Sequence, residues 1–520
     1  MKKYFLSIIV FASTMFVSAQ TEYDALKLTQ TDINGTARYM SMGGAFGALG
    51  GDASALKDNP AGLGVYRSSE FAVTIDGTLQ NSSTTLQSVK TNESDLNLRF
   101  NHLSYVVAIP LNKDNSEGLV GSNFSFTYNK VRDFNRKLSV NGPQVDRSFT
   151  DFLANFTNAA NRIEEDFYKN PSNNPNYDPY LDRNSDGNYA PWLSVAGYWG
   201  YLIDPTINSD NTTTWSSGFG GQVTPYNYLY ERGSINEYGF GWGGNFSNRF
   251  FLGANLNITS LDYNLESTLS ESFSGGGDFS LKSYLSQTGT GVNFKLGVIY
   301  LLTNNLRVGA SIHTPTFYSI SESNDFQLYS SKMDASYEPE IPSQIGNQTY
   351  KINGAFQAQG SLAYLFGKKG LISAEYNFIN YPSMRFKETN GNTEYFKLEN
   401  DGMSQVLRNG NILKLGGEYK INQKVALRAG YAYTTGATNP DYTDGKALEF
   451  YTTNTNTEYF DHLNSQYFSI GAGYREASWF LDAAYALRVR NENFYSYQGS
   501  YGATSTSSTN NLVVTLGFKF

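Results

Sequence analysis

Cysteine is absent from the 520-residue chain, so whatever holds the fold together does so without disulfides. No block of basic residues occurs and the net charge is −8, which argues against nucleic acid as a partner. There are only three histidines, His102, His313 and His462, and they are scattered. With no Ser-His-Asp grouping in view, neither an enzyme nor a cofactor is expected. Beyond the first 20 residues no stretch of about 18 apolar residues exists, so no transmembrane helix is expected. A membrane β-barrel is still open, because each of its strands carries only a weak alternating signal.

What the chain has in quantity is 39 Tyr, 35 Phe and 49 Gly. Its first residues, "MKKYFLSIIVFASTMFVSAQ", read as two lysines, an apolar run and a small-residue site at Val17-Ser18-Ala19. That is a secretory signal, and residues 1–19 are expected to be removed.

Alternation of period two then recurs along the chain. In "WFLDAAYALRV", Trp479, Leu481, Ala483, Tyr485, Leu487 and Val489 share one face, opposite Phe480, Asp482, Ala484, Ala486 and Arg488. Segments of this kind fall near 69–79, 98–109, 118–130, 237–247, 249–262, 291–301 and 306–316. A second set falls near 353–365, 370–380, 411–420, 425–434, 466–475, 478–490 and 511–520. Most are long enough to cross a bilayer at a tilt, which takes about 9–11 residues.

Short connections such as "TNN", "GKK" and "NQK" alternate with long ones at 131–236, 265–290, 321–352, 381–410, 435–465 and 491–510. Short turns on one side and long loops on the other are the habit of outer-membrane barrels. The expected fold is all-β, a transmembrane antiparallel barrel of about 14 strands over 67–520. An even count places both termini in the periplasm of a Gram-negative cell. Lipid offers the backbone no hydrogen bonds, so the sheet must close. Apolar rows then meet membrane lipid. The rows carrying Glu375, Lys414, Glu418, Arg428, Asp482 and Arg488 face the lumen, where opposite charges are expected to pair.

The stretch "SMGGAFGALGGDASALKDNPAGLGVY", Ser41 to Tyr66, contains seven glycines. No strand precedes it and no Lys-Ser or Lys-Thr follows a glycine, so it is not a phosphate cradle. Its glycines are interleaved with apolar residues, unlike a flexible linker. Asp52 suits a cap for "ASALK", and the residue before Pro60 should leave helical geometry. A compact segment packed on a wall fits this composition. Fourteen strands enclose more space than their own side chains fill. Residues 20–66 are therefore expected to form an amino-terminal plug. Gly239, Gly241 and Gly243, on one face of "YGFGWGGNF", offer a smooth strip for it.

This run, a glycine-rich segment leading through Asn59-Pro60-Ala61 into the first strand, resembles the amino-terminal hatch of the FadL-type family of outer-membrane transporters. The strand "NLVVTLGFKF" ends the chain on an aromatic, like the assembly signal of outer-membrane barrels, and "SIHTP" at 311–315 resembles a strand end of that family. The resemblance implies passive uptake of a hydrophobic ligand, a long-chain fatty acid or aromatic hydrocarbon, with lateral release through the wall. It implies that Asn59, Pro60 and Ala61 hold the hatch, with Phe46, Leu49, Leu56 and Leu63 as its apolar contacts, packing the plug or touching ligand.

Asp182, Asn184 and Asp186 read as the first half of a calcium loop, but its twelfth position is Leu193 instead of a bidentate Glu. No metal is assigned, and an Asx-rich turn is the alternative. The size of the 131–236 loop keeps a second function open: a FadL-like barrel that docks a secretion or surface protein.

Overall fold

The computed structural model describes residues 22–111, 117–168, 178–180, 182, 190–210, 212–333, 346–439 and 455–520. The expected leader at 1–19, the start of the expected plug at residues 20 and 21, and Asn184 and Asp186 lie outside the described residues.

Fourteen antiparallel spans close into one barrel. They are β1 (Glu70–Leu86), β2 (Val89–Pro110), β3 (Leu119–Asp133, continued by Arg136–Asn141) and β4 (Val223–Phe246). Next come β5 (Phe250–Phe273), β6 (Asp278–Leu301), β7 (Leu306–His313 and Phe317–Ser330) and β8 (Gly346–Asn353 and Phe356–Leu365). The ring continues with β9 (Gly370–Asn380 and Arg385–Lys387), β10 (Gly410–Lys420), β11 (Val425–Thr435), β12 (Tyr459–Arg475), β13 (Trp479–Tyr495) and β14 (Ala503–Lys519). Pairing of β1 with β14, from Glu70 opposite Lys519 to Thr85 opposite Thr504, leaves no open edge.

The alternation has the expected physical outcome. Leu98, Ile258, Ile312, Leu362, Ile372, Ile470 and Leu512 point outward and are exposed. Tyr300, Phe366, Tyr419, Tyr474 and Phe520 stand exposed beside the short-turn ends, like the aromatic girdle of a membrane barrel. Inward rows are polar and buried, and their charges pair. Arg428 meets Glu418 at 2.8 Å and Asp482 at 2.5 Å. Lys414 meets Glu375 at 2.7 Å, and Lys295 meets Glu237 at 2.8 Å.

Three features differ from the sequence reading. Several spans are far longer than a bilayer needs: β4, β5 and β6 have 24 residues each. Much of the expected long loops at 265–290 and 491–510 is strand, reaching beyond the apolar band. His462, expected in a loop, lies in β12. "SIHTP" is an interruption within β7, since the strand stops at His313 and resumes at Phe317. Pro315 has no N–H for the ladder and sits in that gap. Neighbouring gaps at Gly354-Ala355 in β8 and around Pro382 in β9 fall at the same level.

The described residues of 142–222 form a lobe on the long-loop side. Two of its helices, Phe149–Ala159 and Trp192–Trp199, and a hairpin of Ile203–Ile207 with Thr213–Ser217 share an apolar cluster. That cluster includes Leu269, Phe273, Phe279 and Phe326 from the ends of β5, β6 and β7, which seats the lobe on the barrel.

Candidate functional site: the filled lumen

Residues 22–66 lie within the ring of strands. They begin with α1 (Glu22–Thr29) and α2 (Ala37–Ser41) and end in two short 3₁₀ turns, Ala53–Lys57 and Pro60–Val65. Each piece after α1 has a side-chain cap. The Thr36 hydroxyl accepts from Tyr39 N at 3.1 Å, Asp52 accepts from Ser54 N at 3.1 Å, and Asn59 accepts from Ala61 N at 3.0 Å. Asn59 is extended at φ −136°, as a residue before proline should be.

Asn59 is a junction. Its Nδ2 donates to Gly47 O at 2.6 Å and to Val298 O of β6 at 3.1 Å, while its Oδ1 caps the last turn. One buried amide thus joins the glycine loop, the Pro60 turn and the wall. Pro60 and Ala61 pack beside it; Ala61 clusters with Phe251 and Ile299. Leu56 and Leu63 pack with Ala53, Tyr66 and Val106. Phe46 and Leu49 pack with Tyr39, Met40 and Met42. All four are buried and serve as packing here.

The wall meets this segment through glycine. A Cβ at Gly243 would stand 2.6 Å from Gly64 N and 2.7 Å from Leu63 Cβ. Gly241 reaches Leu63 less closely, at 3.3 Å, whereas Gly239 faces Thr127, Asn255 and Asn257 of the barrel. The strip read on β4 therefore meets the segment at one end only. Sequence reasoning missed the longer row: Gly253 faces Pro60, Gly297 faces Asn59, Gly309 faces Gly47, Gly416 faces Met42, Gly430 faces Gly43 and Gly471 faces Ser41. Each lies on an inward row of its strand, and that was the available signal.

Charge locks the segment as well. Gly47 N donates to Glu375 at 2.9 Å; Glu375 holds Lys414, which lies 3.3 Å from Asp58. Tyr39 donates to Asp58 at 2.5 Å, and Arg38 pairs with Glu418 at 3.1 Å. Burial pushes the Lys57 ammonium down to about 8, against the pull of Asp58. Burial alone would raise the Asp32 carboxyl, but Arg488, Arg132 and Arg490 hold it well below the usual range. The histidines are structural partners: His102 bonds Asn129 at 2.8 Å, His313 bonds Asp58 O at 2.7 Å and His462 bonds Glu492 at 2.7 Å.

Among the described residues, three narrow cavities lie in the lumen. The outer one, about 80 Å³, lies between α1 and the wall and mixes Arg136, Glu231 and Glu492 with Leu229, Leu265 and Phe460. The inner one, about 90 Å³, lies beside Lys57, Asp58 and His313 and reaches Thr314, Thr316 and Ala355 at the wall gaps. A middle one, about 80 Å³, shares Arg132, His462, Arg488 and Arg490 with the outer and Gln30 to Ile33 with the inner. Among the described residues no group of acidic or histidine side chains is arranged to hold a metal ion. Asp182 bonds back to Asp178, and Leu193 is buried in the lobe's apolar cluster.

Solved structures share this architecture. A FadL homologue of Pseudomonas aeruginosa matches with TM-score 0.51 and 12% identity, over 95% of this chain and 100% of that one. The Pseudomonas putida toluene transporter TodX matches with TM-score 0.50 and 14% identity, over 95% and 100%. No family model and no curated protein sequence matches the chain.

Proposed function

With the FadL-type fold as premise, we propose that the chain is an outer-membrane channel for passive uptake of hydrophobic compounds, with residues 20–66 as its hatch. The observation that carries this reading is the occupied lumen: among the described residues, the amino-terminal segment sits within a closed barrel beside narrow cavities that share lining residues. An open porin would need a continuous aqueous lumen. A hydrophobic solute instead moves between apolar surfaces, each CH₂ kept from water contributing about 0.8 kcal/mol. Release into the periplasm forfeits that gain; release sideways into the bilayer keeps it. The aligned gaps in β7, β8 and β9, against which the inner cavity abuts, support a lateral exit there. The solute would enter at the long-loop end, with both termini of the mature chain in the periplasm.

Uptake of a labelled long-chain fatty acid and of toluene, by cells with and without the gene, tests the reading. Faster uptake of either is expected on expression; equal rates for both compounds overturn it.

The lobe favours a second reading, docking of a secretion or surface protein, because it exposes Trp199, Tyr201 and Ile207 around its own core. A stoichiometric protein retained on purification from the native membrane, with no gain in uptake, would select that reading.

A further inference from the structure

The outward face of β8 to β11 is unevenly filled. In the row nearer the short turns, Tyr364 and Ile372 stand beside Gly417 and Ala429. In the next row, Leu362 is followed by Ala374, Leu415 and Tyr431. The small residues Ala374, Gly417 and Ala429, set among large ones, leave a groove of about 610 Å³. That is within the roughly 300–1,000 Å³ of ordinary ligand sites. No charged side chain lines it, and the hydroxyl of Ser373 at its edge is spent on Leu362 O at 3.2 Å.

The groove lies back to back with the amino-terminal segment. Gly416 and Gly430, each next in sequence to a small outward residue, face inward to Met42 and Gly43. A Cβ at Gly416 would stand 2.5 Å from Met42 O, so the close contact demands that glycine. Nothing of the kind demands Gly417, where a Cβ would meet no atom nearer than 3.8 Å. A strand glycine without a clash to avoid marks a place where something else approaches.

Charge stands at the short-turn end of the groove. The turn between β8 and β9 carries Lys368 and Lys369, and β10 ends at Lys420, whose N–H donates to Lys369 O at 2.8 Å. All three lysines are exposed, and among the described residues none pairs with a carboxylate. The neighbouring charges are engaged elsewhere. Lys424 pairs with Glu476 at 2.6 Å, Glu418 turns inward to Arg38 and Arg428, Arg307 donates to Leu49 O, and Arg475 lies over the Phe480 ring. Three positive charges are thus left over here, in a chain whose net charge is −8. Lys369 precedes Ile372 and Lys420 follows Gly417 by three residues, about 10 Å of strand. With the strand tilt of a membrane barrel, that drop is close to the roughly 5–8 Å of one head-group layer.

We propose that the groove and its lysines bind one anionic glycerophospholipid of the phosphatidylglycerol type. An acyl chain lies over Ala374, Gly417 and Ala429, and the phosphate is held at Lys368, Lys369 and Lys420. Charge selects this occupant over a second copy of the chain, because a two-fold contact through this face would set the three lysines against their own copies. Assigning the lipid to the periplasmic leaflet rests on the reading that the short turns face the periplasm; the site itself does not. The bound chain backs the wall where the Met42–Gly47 loop presses on it from inside.

The test is native mass spectrometry of the purified full-length protein in a non-ionic detergent, with dioleoyl phosphatidylglycerol and dioleoyl phosphatidylcholine in equal amounts. A single phosphatidylglycerol should be retained about tenfold or more over phosphatidylcholine. Replacing Lys368, Lys369 and Lys420 together by Gln should bring the two lipids level, and replacing them by Arg should keep the preference. Gly417→Leu, which has room for its side chain, should fill the groove and lower retention of both lipids severalfold. Each variant is first shown to migrate as a folded barrel. Equal retention of the two lipids by the native protein, or of neither, overturns the site, as does a preference that survives the three Gln replacements. Retention unchanged by Gly417→Leu rejects the groove as the seat of the chain. A dimer that Gly417→Leu abolishes would give the groove to a second copy instead. None of these outcomes reads solute uptake, so the channel reading stands or falls separately.

Discussion

The floor and the upper half of the lumen are filled by different physics. At the floor, main chain lies on main chain: the Asn59–Gly64 turn and the Met42–Gly47 loop press against wall glycines from β4 to β12, and Asn59 closes the contact. Higher up, α1 and the segment around Asp32 are held by long charged side chains with cavities between them. Glycine contacts cannot adjust, because no rotamer is available to give way. Ion pairs can exchange partners at little cost if a new partner has the same sign. The floor is therefore held by contacts without slack, and the upper half by contacts that can exchange.

Removing the distinction altogether should give the largest effect. A chain lacking residues 20–66 is expected to conduct as an open pore in a planar bilayer, where the full protein stays closed. Conductance equal to that of the full protein would mean that this segment does not seal the barrel. Next in size is a single side chain on the floor. A Cβ at Gly253 would collide with the Pro60 carbonyl, a backbone group, so Gly253→Leu should unseat the turn and cost about 3 kcal/mol. Gly360→Leu, on the exposed face of β8 with open space around it, is the control and should be silent. Thermal conversion of the folded gel band, read together with leak conductance, separates the two variants. Equal behaviour would refute the close-approach account.

The same contrast governs what could be read from the sequence. The number of spans was legible because crossing lipid imposes period two on every one of them, as in "WFLDAAYALRV". Their outer extensions were not, since β5 beyond Leu261 carries Asp262, Asn264, Glu266 and Thr268 on its outward row in place of apolar residues. Pairing of inward charges followed from the cost of burying them, but partners such as Arg132 and Asp32 are distant in sequence and no local pattern joins them. Gly309 and Gly430 sat on inward rows in plain view. What they touch depends on how the amino-terminal segment is threaded, which alternation does not encode. The Asn59-Pro60-Ala61 turn was legible as local chemistry, a capping side chain before a proline. Its reach to Val298 was not.

Asn59→Ala is the intermediate case. It removes one cap and leaves the buried carbonyls of Gly47 and Val298 without their donor, at a cost of about 2 kcal/mol. The amino-terminal segment should loosen while the barrel persists, so leak conductance should rise before the gel band changes. The reverse order would place Asn59 in the stability of the barrel instead of the seat of the segment.

The smallest effect is expected at the rim, where the lobe meets the barrel. Phe152 stacks on Tyr497 with ring centroids 5.4 Å apart and packs, with Phe156, against Tyr459, which also touches Tyr23 of α1. The lobe has other anchors: Glu271 accepts from Phe149 N at 2.9 Å, and Phe167, Trp192 and Trp215 form its own core. Phe152→Ala should therefore cost about 1 kcal/mol, the scale of an aromatic pair, and loosen only the seam. Protease nicking within 142–222 should quicken while conversion of the folded band stays at its original temperature. A matching fall in that temperature would show that rim and barrel melt as one unit, and the seam would then belong to the stability of the barrel itself.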